Sequence, residues 1–228
     1  MSRAELKIDW ATSEASRYAC KNWHYSKSVP VGKLVKVGAW ESGRFIGVVL
    51  FAYGANNNIG KPYGLLQTEC CELVRVALRE HKTPVSRIMA RAIKMLKQQS
   101  PGLRLVVSYA DTGQGHHGGI YQATNWIYEG KGKPATEYFF NGRWVHSMQV
   151  QTFIRKGDIA SRSGIPKREG TAKHKYLMPL DNEMRLRVLP LAKPYPKRAK
   201  NLDAEHPSAQ GGEVPTRTLH PSTAGAHS

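Results

Sequence analysis

Two short polar stretches hold most of the side chains able to do acid–base or anion chemistry. The first is His24-Tyr25-Ser26-Lys27-Ser28-Val29-Pro30-Val31-Gly32-Lys33. An imidazole, a phenol, hydroxyls and ammonium groups this close together can bind an anion or move protons. The second runs from Val107 to Trp126 and carries Ser108, Asp111, His116, His117, Gly118, Gly119, Tyr121 and Asn125. Here an apolar strand leads through a carboxylate and a glycine-rich turn to a helix start. Glycines let backbone approach a ligand closely, and the open amides of a new helix favour a phosphate or a developing anion. The spacing is not that of a G-x-x-x-x-G-K-[ST] loop, so nucleoside triphosphate binding is not expected. Asp111, His116 and His117 are a candidate metal set, although adjacent histidines point in different directions. Arg75 lies mid-strand in Glu72-Leu73-Val74-Arg75-Val76-Ala77-Leu78, where a cation needs a partner. Strict alternation puts Leu73, Arg75 and Ala77 on one face and aims Arg75 at the cleft, toward Asp111 or a substrate phosphate. A plain structural ion pair is the other reading.

The elements that must position these groups alternate between strand and helix. Leu6 to Trp10 reads as a strand, and Thr12 or Ser13 caps a helix to Trp23 with Glu14 at its positive end. Leu34 to Trp40 and Arg44 to Tyr53 flank Glu41-Ser42-Gly43 as an antiparallel hairpin. Cys71 to Leu78 reads as a strand. Pro84 opens a helix whose Val85, Ile88, Met89, Ala92, Ile93 and Leu96 share one face. Leu103 to Tyr109 is a buried-type strand and Gly118 to Trp126 a short helix. Ile127 to Glu129 with Glu137 to Val145 makes a last hairpin. The fold class is therefore α/β with a mixed, mainly antiparallel sheet flanked by helices, because hairpins interrupt the crossovers. That order is similar to the GNAT acyltransferase arrangement.

The 228 residues include 34 Lys and Arg against 17 Asp and Glu, a net charge of +17. Between Arg143 and Lys200, 14 cations face 4 carboxylates, which places +10 of that charge in one quarter of the chain. Such an excess points to an anionic partner, nucleic acid foremost. Arg155, Lys156, Arg162, Lys167, Arg168, Lys173 and Lys175 are the candidate DNA contacts. The expected organisation is a catalytic core over 1–145, a basic extension packed on it over 146–192, and a disordered tail over 193–228 rich in Pro, Gly and Ser. Apolar runs are too short to cross a bilayer and no signal segment opens the chain, so an intracellular location is expected. Cys20, Cys70 and Cys71 read as reduced, partly buried thiols.

In combination the motifs resemble the Mom family of phage DNA-modification proteins. The matching pieces are His24-Tyr25-Ser26-Lys27 with Pro30, Glu72-Leu73-x-Arg75, Val107-Ser108-x-x-Asp111, Gly118-Gly119-x-Tyr121-x-Ala123-x-Asn125 and Tyr128-x-Gly130, in the family's order over roughly residues 15 to 135. The resemblance implies a GNAT-like enzyme that places a carbamoylmethyl group on the exocyclic amine of adenine, shielding phage DNA from restriction in the cytoplasm of the bacterial host. It implies double-stranded DNA as partner, with acetyl-CoA and iron as cofactors. It implies Tyr25, Ser108, Asp111 and Tyr121 as catalytic residues, with His24, Ser26, Lys27, Arg75, Ser86, Gly118, Gly119 and Asn125 binding substrate or cofactor and His24, Asp111 and His116 able to hold the metal. Many GNAT enzymes seat the coenzyme pyrophosphate on a Q/R-x-x-G-x-G/A loop, whereas Arg79-Glu80-His81-Lys82-Thr83-Pro84-Val85-Ser86 has no glycine. An acetyltransferase acting on a protein or small amine, and a non-enzymatic nucleic-acid-binding protein, are the alternatives.

Overall fold

Thr12 opens the first helix as expected. Its Oγ1 accepts the Ala15 N–H at 3.1 Å, satisfying one of the orphan amides of α1 (Ser13–Trp23). In this computed structural model, residues 5–53 and 58–197 are described. Strand β1 (Leu6–Trp10) precedes α1, and β2 (Leu34–Glu41) and β3 (Arg44–Ala52) form the expected hairpin about Ser42-Gly43. Next come β4 (Cys70–Leu78), α2 (Val85–Gln99), β5 (Leu105–Asp111), the single-turn α3 (Gly119–Gln122) and β6 (Ile127–Lys131). Beyond them lie β7 (Thr136–Phe140), β8 (Arg143–His146), α4 (Ser147–Lys156), β9 (Lys167–Glu169), β10 (Lys173–Pro179) and α5 (Asn182–Val188).

Seven strands build the main sheet in the order β1-β2-β3-β4-β5-β10-β6. Its neighbours pair antiparallel except β4 and β5, which are parallel and need the α2 crossover between them. Alternation along β3 sends Val49 and Phe51 to the face covered by Ile88, Met89, Ala92 and Leu96 of α2. Val48 and Leu50 go to the other face, against Ala19 and Cys20 of α1. The two helices thus cover opposite faces.

The parallel pair is short. Cys70 to Leu73 is bonded to Leu105 to Ser108, and past that point Val74–Leu78 and Tyr109–Asp111 share no ladder. The sheet therefore parts midway between β4 and β5, which opens a cleft at their C-terminal halves.

Three expectations fail for identifiable reasons. β6 pairs with β10 rather than with the segment after Glu137, and β7 instead turns back on β8. Asn141 and Gly142 sit at φ 51° and 74°, the left-handed pair of a two-residue hairpin, and this closes β7 on β8 locally. Nor does the core end at 145. β10 inserts between β5 and β6 with Tyr176 and Leu177 fully buried, so the basic extension supplies a central strand. Finally, Lys193–Lys197 is held and not a tail: Lys193 N–H donates to the Tyr128 carbonyl at 2.8 Å and the Tyr195 hydroxyl to the Trp126 carbonyl at 2.6 Å. Residues 198–228 of the expected tail lie outside the described residues.

Candidate active site

The cleft begins at a β-bulge. Leu50 of β3 faces Arg75 and Phe51 faces Leu73, so Val74 is the extra residue. A bulge re-aims the side chains around it. It breaks the alternation assumed for β4: Leu73 packs in the α2-side core, whereas Ala77 joins the α1-side cluster. Arg75 comes within electrostatic range of Cys20 and His24 at the end of α1. Its Nη1 donates to the Val74 carbonyl at 2.7 Å, and its buried Nε has no hydrogen-bond partner. Among the described residues no carboxylate forms an ion pair with it, Asp111 included. A guanidinium with an unsatisfied N–H and no ion-pair partner is chemically able to receive an anion or a carbonyl oxygen.

The turn after α1 and the loop after β5 bring three aromatic rings together. Tyr25 is half-exposed, its ring 4.2 Å from that of His24 and 5.5 Å, edge-on, from that of His116. The two polar stretches of the sequence therefore meet here. His24 has a defined tautomer, because the Ser26 backbone N–H can only donate and does so to Nδ1 at 3.1 Å. The Ser26 hydroxyl lies 2.8 Å from the same nitrogen. Burial above all, then the charges of Arg75, His116 and Lys27, pushes the imidazole down to about 4. At neutral pH His24 is uncharged and presents Nε2–H as a donor. Tyr25 is held protonated, its phenol shifted upward by burial and then by the Asp111 carboxylate.

Asp111 ends β5. Its Oδ1 accepts the Gly113 N–H at 2.9 Å and the Thr171 hydroxyl at 3.1 Å, and its Oδ2 lies 3.8 Å from Lys173 Nζ. Thr171, which the sequence did not single out, sits just before β10 and reaches Asp111 only because that strand inserts beside β5.

The other expected site residues make contacts within the protein. Ser108 is 1% exposed, and its Oγ lies 2.8 Å from both the Leu73 carbonyl and the Tyr121 hydroxyl. A serine has one proton and a carbonyl only accepts, so Tyr121 donates to Ser108 and Ser108 to Leu73. This relay ties β5 to β4 where their ladder ends, with Tyr121 pushed up to about 12, chiefly by burial. It forms the floor of the cleft. Gly118 is buried at φ 83°, and a Cβ there would collide with the Tyr176 ring. Gly119 is the first residue of α3, and a Cβ on it would press on the His117 ring at 3.2 Å. Asn125 adopts a left-handed turn conformation between α3 and β6. Lys27 Nζ donates to the Asn22 carbonyl at 3.2 Å, capping α1. Ser86 is half-buried in the first turn of α2.

Among the described residues no three His, Cys, Asp or Glu side chains come together as metal ligands, the set His24, Asp111 and His116 included. With His24 Nδ1 already accepting from Ser26, that donor set does not fit an iron centre. The three cysteines are buried thiols, with Cys70 pushed up to about 12 chiefly by burial.

Strands β8, β7 and β9 form a second sheet in that order. Val145 is buried and Phe140 stacks on Phe153 of α4, so the opposite face turns outward. There Phe139 and Trp144 are exposed with centroids 5.3 Å apart, and the Arg168 guanidinium lies 4.4 Å over the Trp144 ring. The expected DNA contacts divide. Arg155, Lys156 and Lys167 are exposed, Arg162 bonds the Gln151 side chain at 2.8 Å and Arg168 pairs with Glu137 at 2.8 Å. Lys173 is exposed beside Asp111, whereas Lys175 pairs with Glu129 at 3.1 Å and lies over the Tyr63 ring.

Among the described residues, a mainly antiparallel sheet parted at its one parallel pair, with polar groups gathered at the parting, defines a mixed α/β protein. Residues 5–197 match the Mom protein family, and the chain belongs to it. The methylcarbamoylase Mom of Escherichia phage Mu is 27% identical over 158 residues, which cover 67% of this chain and 65% of that protein. The match thus spans just under two thirds of that relative's length. Among solved structures, an acetyltransferase-type protein of Acinetobacter baylyi ADP1 has a TM-score of 0.47 at 12% identity, over 79% of this chain and 95% of its own. A second acetyltransferase-type structure has a TM-score of 0.44 at 12% identity, over 77% and 93%. No helix among the described residues is long and apolar enough to cross a membrane.

Proposed function

We propose that this chain is a phage-type DNA-modifying transferase that adds a carbamoylmethyl group to the exocyclic amine of adenine and so protects DNA from restriction. The observation that carries this reading is the meeting of Tyr25, His24 and His116 with Arg75 and Asp111 where β4 and β5 part. Membership of the Mom family and the likeness to the methylcarbamoylase Mom of phage Mu support it.

Chemistry on a base in duplex DNA requires that base to leave the stack and find a new one. Tyr25, half-exposed between two imidazoles, offers that surface. Arg75 would hold the oxygen or anionic group of the donor, and the neutral His24 would donate Nε2–H to charge developing on it. The exocyclic nitrogen then forms a bond to the donor carbon while the donor's leaving group departs with its bonding pair. Asp111 would accept the proton that the nitrogen sheds. The outward face of Phe139, Trp144 and Arg168, with Arg155, Lys156 and Lys167, would hold the flanking duplex through its phosphates.

The test is mass spectrometry of nucleosides from DNA of cells expressing soluble protein. A deoxyadenosine species heavier by the carbamoylmethyl group, absent from Asp111→Ala cells, is expected. Only unmodified deoxyadenosine beside soluble, folded protein overturns the reading.

A further inference from the structure

The loop that enters α2 already holds an anion, and it belongs to the chain itself. Glu41, the last residue of β2, reaches across to this loop. Its Oε1 accepts the Thr83 N–H at 2.7 Å and the Thr83 hydroxyl at 2.6 Å, and its Oε2 accepts the Lys82 N–H at 3.0 Å. Thr83 is 3% exposed. The Thr83 hydroxyl first, then the Lys82 amide, hold the Glu41 carboxyl down to about 2, so it is ionised throughout the physiological range. Of the remaining amides at the helix entry, Val85 and Ser86 are open. Pro84 has no N–H, and the Arg87 N–H is used by the Pro84 carbonyl at 2.9 Å.

Backbone amides at such a loop are what a GNAT fold uses to seat a coenzyme diphosphate. A diphosphate entering here would have to displace a carboxylate from three donors or lie against its negative charge. No glycine between Arg79 and Ser86 lets the backbone make a second cradle. The residues present therefore do not fit the coenzyme. We propose that Glu41 permanently occupies this diphosphate seat, and that the group donor is a molecule without an anchored nucleotide diphosphate, held instead through the unpaired Arg75 inside the cleft. The identity of the cleft as a group-transfer site rests on the function proposed above; the occupied seat stands on its own geometry.

The experiment is an amide-resolved NMR titration of the folded chain with coenzyme A and, separately, with inorganic pyrophosphate. In the unsubstituted protein neither probe, at millimolar concentration, is expected to give saturable shifts at Lys82, Thr83, Val85 or Ser86. Glu41→Ala exposes the amides and is expected to bind both probes at least about tenfold more tightly, as an open helix-entry anion site should. Glu41→Gln, which keeps the shape and removes the charge, gives the same direction of change if the alanine variant does not fold. Saturable micromolar binding of coenzyme A at these amides in the unsubstituted protein overturns the proposal, as does a folded variant that gains no affinity. Absence of modified adenine from expressing cells would remove the proposed function and leave this binding result as it stands.

Discussion

The Tyr25 ring stands edge-on to the His116 imidazole, 5.5 Å between centroids, although the two residues come from the turn after α1 and the loop after β5. A half-exposed phenol held this way is a stacking surface more than a proton carrier, because burial and the Asp111 charge keep it protonated. Stacking of a base on an aromatic ring is worth about 1–3 kcal/mol. Tyr25→Ala is therefore expected to lower the modified fraction of adenine roughly tenfold or more, while Tyr25→Phe keeps most of it. Equal loss in both variants, with unchanged circular dichroism, would assign the hydroxyl a chemical role instead.

His24 gives a pH prediction. Its folded value of about 4 lies below the ordinary 6.5, so the unfolded chain takes up a proton more readily than the folded one. The resulting stability is fully present above pH 6.5 and is lost as pH falls toward 4. Imidazole resonances followed by NMR should show His24 titrating near 4. Ser26→Ala removes a hydroxyl beside Nδ1 and should move that midpoint upward. A His24 midpoint between 6 and 7 in the folded protein would contradict the neutral donor role.

The positions of Ser108 and Tyr121 separate a floor from a reactive group. Their hydrogen-bond relay is buried, and removing one partner of such a bond costs about 1–3 kcal/mol. Ser108→Ala and Tyr121→Phe should each lower the denaturation midpoint, and the double variant should lose less than the sum because both changes break one relay. Modification measured at low temperature, where both variants remain folded, should persist. Complete loss of activity in stable Ser108→Ala protein would restore a catalytic role.

What the sequence disclosed follows from how local each signal was. Thr12, the Ser42-Gly43 turn and the apolar face of α2 depend on neighbours within a few residues, and all three stand as read. The pairing of the His24 and Asp111 stretches came from recognising a family order, not from spacing. Leu73 was grouped with Ala77 although the two lie on opposite faces, because a bulge cannot be seen in a strand that alternates cleanly around it. β10 was hidden by its own cations: Lys173 and Lys175 mask the buried Tyr176 and Leu177, and its partners lie far away in the chain. Asn141-Gly142 was a legible hairpin signal that the longer apolar run over Glu137 to Val145 obscured. Glu41 gave no signal, since its meaning lies in a loop on the far side of the β3–β4 pair.

The cations of the second half are not equivalent, and DNA binding should reveal it. Arg155, Lys156 and Lys167 are exposed, so replacing any one with alanine should weaken binding to any duplex and lower the slope of log affinity against log salt by about 1. Trp144→Ala removes both an exposed ring and the surface over which Arg168 is held, and should weaken binding beyond any change in that slope. Lys175→Ala should instead leave the slope unchanged and lower stability, because its ammonium is already paired with Glu129, 3.1 Å away and itself bonded to the Tyr63 hydroxyl at 2.6 Å. Removing one member leaves a partly buried carboxylate without its cation. Fluorescence anisotropy across a salt series, run beside thermal melts, separates the two classes. A Lys175→Ala slope reduced like that of Lys156→Ala would show that Lys175 leaves Glu129 to contact phosphate in the complex.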